Sequence, residues 1–354
     1  MSIRDSLGRP VLLTMAVLAL CGSLAACSKS SDSTAPGKAA ASSQSQPAPA
    51  AQGKTAAASD AGASASDDAA LEQKLSLYID CYNRLDGAAH RSIARYASWV
   101  RDMKAGPTGH ETIVYGLYPI DPRQTRTCKD TFAKAAAQSP ALAALDGDGK
   151  KYIQALDDLS GVVQQAYTYY DRKDYKDDGF AKGKKLHPEL VRKMTVFLQA
   201  SDVFAAELDK QNDVVFVAHM KKVEKEQGRK IPYLEMAVMH EAKQLVGAVD
   251  ADKFDVADAG KHMDAYGKVA DEIQAYATAH PKEQPMGWSH FDTTVEDFRK
   301  AAKERIRRVR DNTPYTASEK SLLAAQGSSW MVEGSRGKVV KAYNALVSAG
   351  NMLN

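Results

Sequence analysis

The residues of this chain that could do chemistry are few, and each group of them lacks a member. His240-Glu241 opens like the helical zinc motif, in which two histidines four apart hold a metal and the glutamate acts as base. Position 244 is Gln, so the second ligand is missing. Asp146-Gly147-Asp148-Gly149 begins like a calcium loop, but with Asp146 as position one the sixth position is Lys151, and with Asp146 as position three the twelfth is Ala155. A turn between helices is the expectation there. Ser, His and Asp all occur, yet neither a nucleophile elbow nor a phosphate-cradling glycine loop accompanies them. No catalytic residue, metal ligand or cofactor is assigned, and a non-enzymatic role is expected.

The cysteines carry clearer chemistry. There are four, and Cys27 follows Leu24-Ala25-Ala26 at the end of an apolar run from Val11 to Ala26. As a helix that run covers about 24 Å, short of a hydrocarbon core of about 30 Å. A basic start at Arg4 and Arg9, an apolar stretch of this length and a small-residue end are the layout of a secretory signal. Leu-Ala-Ala-Cys resembles the bacterial lipoprotein box, in which the cysteine is diacylated and becomes the new N-terminus. Cys21 is a poorer boundary, because Leu20 stands where a small side chain is needed. The expectation is a signal over residues 1–26, lipidation of Cys27 and anchoring without a membrane span. Ser28, unlike Asp, resembles the outer-membrane default of Gram-negative lipoprotein sorting, so an outer-membrane anchor with the body in the periplasm is expected. Cys81 and Cys128 then remain as an even pair in an oxidising compartment and are expected to form a disulfide.

Residues 27–68 form an Ala, Ser, Gln and Pro-rich linker without a large apolar side chain before the body begins. Such a composition cannot offset the entropy of ordering. A coil of about 40 residues spans roughly 35 Å, enough to hold a folded body off the lipid surface. The formal charge of +3 falls by one when Arg4, Arg9 and Asp5 leave with the signal. So small a balance implies no nucleic-acid partner. The densest basic run, Lys303 to Arg310, places Ile306 and Val309 inward and Lys303, Arg307 and Arg310 on a solvated face, with Glu283, Glu296, Asp297 and Glu304 nearby.

From Leu71 onward apolar residues recur every three or four positions: Leu75, Tyr78, Tyr82, Leu85, Ala89, Ile93, Tyr96 and Val100 make one helical face. Arg95, Tyr96 and Trp99 are read as packing on that helix. Ser139-Pro140 is expected to cap the next long helix and Pro188 to open another. Further helices are expected over 232–249 and 256–279, from Phe291 to Val309, and from the capping box Thr316-Ala317-Ser318-Glu319 through Trp330 to Leu346. Strand-like alternation is almost absent. The fold expected over residues 69–354 is all-α, an elongated antiparallel bundle of long helices behind a disordered tether.

Two stretches interrupt the helices. "GPTGHETIVYGLYPIDP", from Gly106 to Pro122, is too rich in Gly and Pro for a helix and too apolar for a free loop. "YYDRKDYKDDGFAKGKKLHPEL", from Tyr169 to Leu190, alternates aromatics with charges. Together with "YIDCYNRLD", "RYASWV" and "YNALVSAGN", these blocks make residues 71–351 similar to the YiiG-like family of bacterial lipoproteins, whose shared domain has no assigned function. The resemblance implies fold and compartment, and it implies no chemistry.

Within those stretches Tyr115, Tyr118, Tyr170, Arg172, Tyr175, Lys184 and His187 offer aromatic faces and donors suited to a glycan, a peptide or an acidic group. The competing reading packs the tyrosines inward and pairs the cations with Asp171, Asp174, Asp177 and Asp178. The expected partners are the membrane through the N-terminal lipid, and an envelope protein or peptidoglycan at an exposed face. A periplasmic small-ligand or glycan site between helices is the alternative.

Overall fold

The computed structural model describes residues 58–325 and 327–353, with side chains from Asp68 onward. The expected signal, Cys27 and most of the linker lie outside those residues. The first apolar face forms α1 (Ala58–Trp99), along which Leu75, Tyr78, Tyr82, Leu85, Ala89, Ile93 and Tyr96 are all buried. The helix starts ahead of residue 69 because Ala, Ser and Asp residues extend a helix already nucleated, and extension is far cheaper than nucleation. Next comes α2 (Pro122–Ala137), capped by Asp121 with Pro122 in its first turn, and it is tied back to α1 by a Cys81–Cys128 disulfide. It is followed by α3 (Ala143–Asp171) and α4 (Ala181–Gln227), the latter about 70 Å long at 1.5 Å per residue.

The chain continues through α5 (Ile231–Val249), α6 (Val256–Ala279), α7 (Trp288–Arg310), the short α8 (Ala317–Ala324) and α9 (Arg336–Gly350). No strand occurs among the described residues, and none of their helices is long and apolar enough to cross a membrane. The core divides in two along α4. One cluster, from Leu75 to Leu208, joins α1 to α3 and the N-terminal part of α4. The other, from Val223 to Ala349, joins the end of α4 to α5, α6, α7 and α9. A body of this length is near the size at which single cores stop growing. The shared helix makes the bundle elongated.

Four local expectations are corrected. α3 starts at Ala143 and not after Ser139-Pro140, because the Gln138 and Pro140 carbonyls accept from the buried Lys74 ammonium and Asp146 accepts from the Leu142 amide. The Asp146–Gly149 stretch is consequently the first turns of α3 rather than a turn between helices. Gly149 is needed there, since a Cβ would press on Tyr78, Phe132 and Phe204 at 3.2–3.3 Å. Pro188 lies inside α4, because Asp178 accepts from the Lys182 amide and from Tyr169 and so docks the two turns ahead of it. The capping box at Thr316 opens only α8; the last helix starts afresh with Ser335 as its cap. Trp330 falls between them, 40 % exposed, with the Lys341 ammonium over its ring.

In the run from Lys303 to Arg310 the side chain that turns inward is Arg305. It donates to the carbonyls of Val249, Ala251 and Gly334, where the C-terminal end of α5 offers negative partial charge. Lys303, Arg307 and Arg310 stay exposed, as their spacing implies.

Candidate functional site

Both irregular stretches fold onto the same end of the N-terminal core. The stretch after α1 turns at Asp102, whose side chain accepts from the Lys104 and Ala105 amides. It is pinned by Trp99 Nε1 donating to the Gly116 carbonyl at 2.9 Å and Ser92 Oγ donating to the Tyr118 carbonyl at 2.7 Å. Leu117 and Ile120 anchor it in the core, and Glu111 closes its tip by accepting from the Thr108 and Gly109 amides. The second stretch passes through left-handed Lys173, Gly179 and Phe180. Phe180 packs under Tyr175, Tyr175 on Tyr170, and Tyr170 on Trp99. The stretches meet where Gly109 faces the Gly179 carbonyl and Lys184.

His187 is the hinge of this packing. Its Nε2 is 3.1 Å from the Met103 carbonyl, which can only accept, so Nε2 carries the proton and Nδ1 accepts from Tyr96 at 2.8 Å. Burial holds the imidazole below its usual pKa, which keeps it neutral. Gly106 lies against the ring with φ +82°, and a Cβ there would come within 2.6 Å of Cδ2. Gly106→Ala therefore combines a left-handed alanine with a clash. It is expected to cost about 2 kcal/mol or more, read by urea unfolding.

The structure sorts the sequence-derived candidates into two sets. Tyr170 and His187 are buried and serve the core, and Tyr175 is half-buried between Tyr170 and Phe180. For these three the inward-packing reading holds. Arg172 and Lys184 are exposed. Tyr115 and Tyr118 stand out at 48 % and 46 % exposure, next to Ile113 at 54 %. What joins them is Arg95, read from sequence as helix packing. Its Nε donates to the Tyr115 carbonyl and its Nη1 to the Tyr118 hydroxyl, both at 2.8 Å. The guanidinium lies 4.4 Å from the centroid of the Tyr118 ring and 5.5 Å from that of Tyr115.

Among the described residues Arg95 has no carboxylate partner. The sequence held that signal, since positions one turn away are Arg91, Ser92, Ser98 and Trp99, none of them acidic. The result is a half-buried cation set among exposed aromatic and aliphatic side chains. The donors and ring faces of that combination are of the kind that suit a carboxylate or phosphate carried on an apolar or sugar face.

Ser, His and Asp do meet, but in the middle of the first core and in the wrong order. Ser201 Oγ donates to Asp86 Oδ1 at 2.6 Å, and His90 Nε2 lies 3.4 Å from Asp86 Oδ2. The carboxylate stands between serine and histidine, so the imidazole is not the base for the hydroxyl. Asp86 and Ser201 are 2 % and 1 % exposed, and burial pushes the Asp86 carboxyl up. Among the described residues no group of three or more His, Cys, Asp or Glu is placed to hold a metal ion.

Comparison with known proteins points to one family. A family model described as a protein of unknown function (DUF3829) matches residues 69–352. The chain is 35 % identical over 287 residues to the uncharacterized protein YiiG of Escherichia coli (strain K12), covering 80 % of each chain. No solved structure matches it.

Proposed function

We propose, for a chain that belongs to the DUF3829 family of proteins of unknown function, a lipid-anchored cell-envelope protein that works by binding and not by catalysis. The anchor is Cys27, after removal of residues 1–26, and the tether that follows carries the body into the periplasm at the outer membrane. The disulfide between Cys81 and Cys128 suits that oxidising compartment. The single observation that carries the binding role is the Arg95–Tyr115–Tyr118 surface: a guanidinium that bonds the Tyr115 carbonyl and the Tyr118 hydroxyl, has no carboxylate partner among the described residues, and lies between two half-exposed tyrosines. Its chemistry selects an acidic partner, either a carboxylate-bearing strand of the cell wall or an acidic face of another envelope protein.

The two loops that build this end are held by buried anchors on both sides, so the surface is preformed and ordering it costs little on binding. A photo-crosslinking side chain placed at Tyr115 in the intact envelope tests the reading, with a second probe on the exposed face of α6 at Lys261 as the control. A discrete peptidoglycan or protein adduct from position 115, reduced at least about tenfold by Arg95→Ala, is the expected result. Equal adducts from both positions, or none from folded and membrane-associated protein, would remove the binding role from this end.

A further inference from the structure

A second site lies at the waist of the molecule, where the two cores meet along α4. Between α4, α5 and α9 there is a cavity of about 170 Å³ lined by Ala205, Ala206, Asp209, Lys243, Val246, Gly247 and Tyr343. Small residues make it. Ala205 and Ala206 on α4 face Gly247 on α5, and a Cβ on Gly247 would meet nothing within 4 Å. The volume is close to that of an engineered core cavity that accepts benzene.

The polar groups sit on one side. Lys243 bridges Asp209 at 2.6 Å and Asp213 at 2.7 Å, two carboxylates one turn apart on α4. Two carboxylates and one ammonium leave a net charge of −1 beside an otherwise apolar space. Tyr343, only 4 % exposed, lines the same space, and its hydroxyl makes no hydrogen bond with another described residue. The hydroxyl is therefore available to donate to or accept from a molecule in that space.

We propose that this cavity is a binding site for a small organic ammonium, with an apolar body about the size of a benzene ring. The ammonium donates to the free oxygen of Asp209 and to the Tyr343 hydroxyl, supplies the missing positive charge, and lies against the Tyr343 ring. The apolar body replaces water against Ala205, Ala206 and Val246. An anionic ligand is disfavoured, because it would meet two carboxylates with a single lysine already shared between them. This site is separate from the loop end and independent of the binding role placed there.

The test uses isothermal titration of the full chain in lipid nanodiscs, with empty nanodiscs as the blank. Benzylamine, cationic at neutral pH, is the probe; benzoate and benzyl alcohol share its shape but not its charge. Benzylamine is expected to bind saturably with Kd on the order of 1 mM or below, and both controls at least about tenfold more weakly. Gly247→Leu fills the space from an exposed helical position, so it should leave the thermal melt unchanged or raise it while abolishing the binding. Asp209→Asn keeps the shape and should weaken benzylamine about tenfold. Benzoate binding as tightly as benzylamine, unchanged benzylamine affinity in Gly247→Leu, or no saturable binding up to about 10 mM would each overturn the proposal.

Discussion

Lys74→Ala is expected to lower the stability of the N-terminal core by about 3–5 kcal/mol, the scale for removing one partner of a buried ion pair. Lys74 has no exposed surface, and its ammonium makes three bonds: to the carbonyls of Gln138 and Pro140 and to Asp146 Oδ2 at 2.8 Å. Those bonds close the α2–α3 connection onto α1. Tyr78 adds a hydrogen bond to the other oxygen of Asp146, so the network ties three elements. Without the lysine, two carbonyls and a carboxylate lose their donor at once, and the carboxylate keeps only Tyr78 and the Leu142 amide. Urea unfolding followed by far-UV circular dichroism measures the loss. A double variant, Lys74→Met with Asp146→Leu, removes both charges together and should recover part of it. A single variant within about 0.5 kcal/mol of the wild type would show that the lysine contributes nothing net.

The second large effect is loss of the disulfide. Cys81 and Cys128 are 47 residues apart, and the loop they close constrains the unfolded chain by roughly 4 kcal/mol in the chain-entropy model. Both cysteines belong to the first core, and the second core contains neither. Cys81→Ala with Cys128→Ala should therefore unfold the N-terminal part first and leave the C-terminal part folded at intermediate denaturant. Tryptophan placement makes this visible: Trp99 belongs to the first core, whereas Trp288 packs against the second. Fluorescence from a variant that retains Trp99 alone should report an earlier midpoint than one that retains Trp288 alone. Coincident midpoints would mean that α4 couples the two cores into one cooperative unit.

Much of the fold is readable because each long helix buries one continuous face, and a period of three to four residues survives whatever the partners are. Tyr78, Tyr82, Ile93 and Tyr96 belong to that class. The helix ends are less readable. Pro140 and Pro188 carry strong local signals, but Lys74 and Asp178 override them from 66 and 10 positions away, and no local rule contains such contacts. The division into two cores follows from which segments of α4 meet which helices, again a matter of tertiary placement.

The candidate sites divide in the same way. Composition picked out the two loops that meet at one end, because Gly, Pro and Tyr are conspicuous between helices. It did not separate buried Tyr170 and His187 from exposed Tyr115 and Tyr118, since period and polarity are uninformative in irregular backbone. Arg95 was hidden on a helix whose other face is core. The waist cavity was hidden further, because Ala205, Ala206, Gly247 and Tyr343 come from three helices and none of them is unusual in its own segment.

The anchor at Cys27 sets both the compartment and the presentation of the loop end in the proposed function. The measurement that tests it most directly is mass spectrometry of the N-terminal peptide, taken from protein expressed in a Gram-negative host and extracted from its membranes. The predicted result is a chain beginning at Cys27 whose sulfur carries a diacylglycerol, lost from the membrane fraction in Cys27→Ala. A chain that begins elsewhere, or an unmodified Cys27 on membrane-extracted protein, would contradict it.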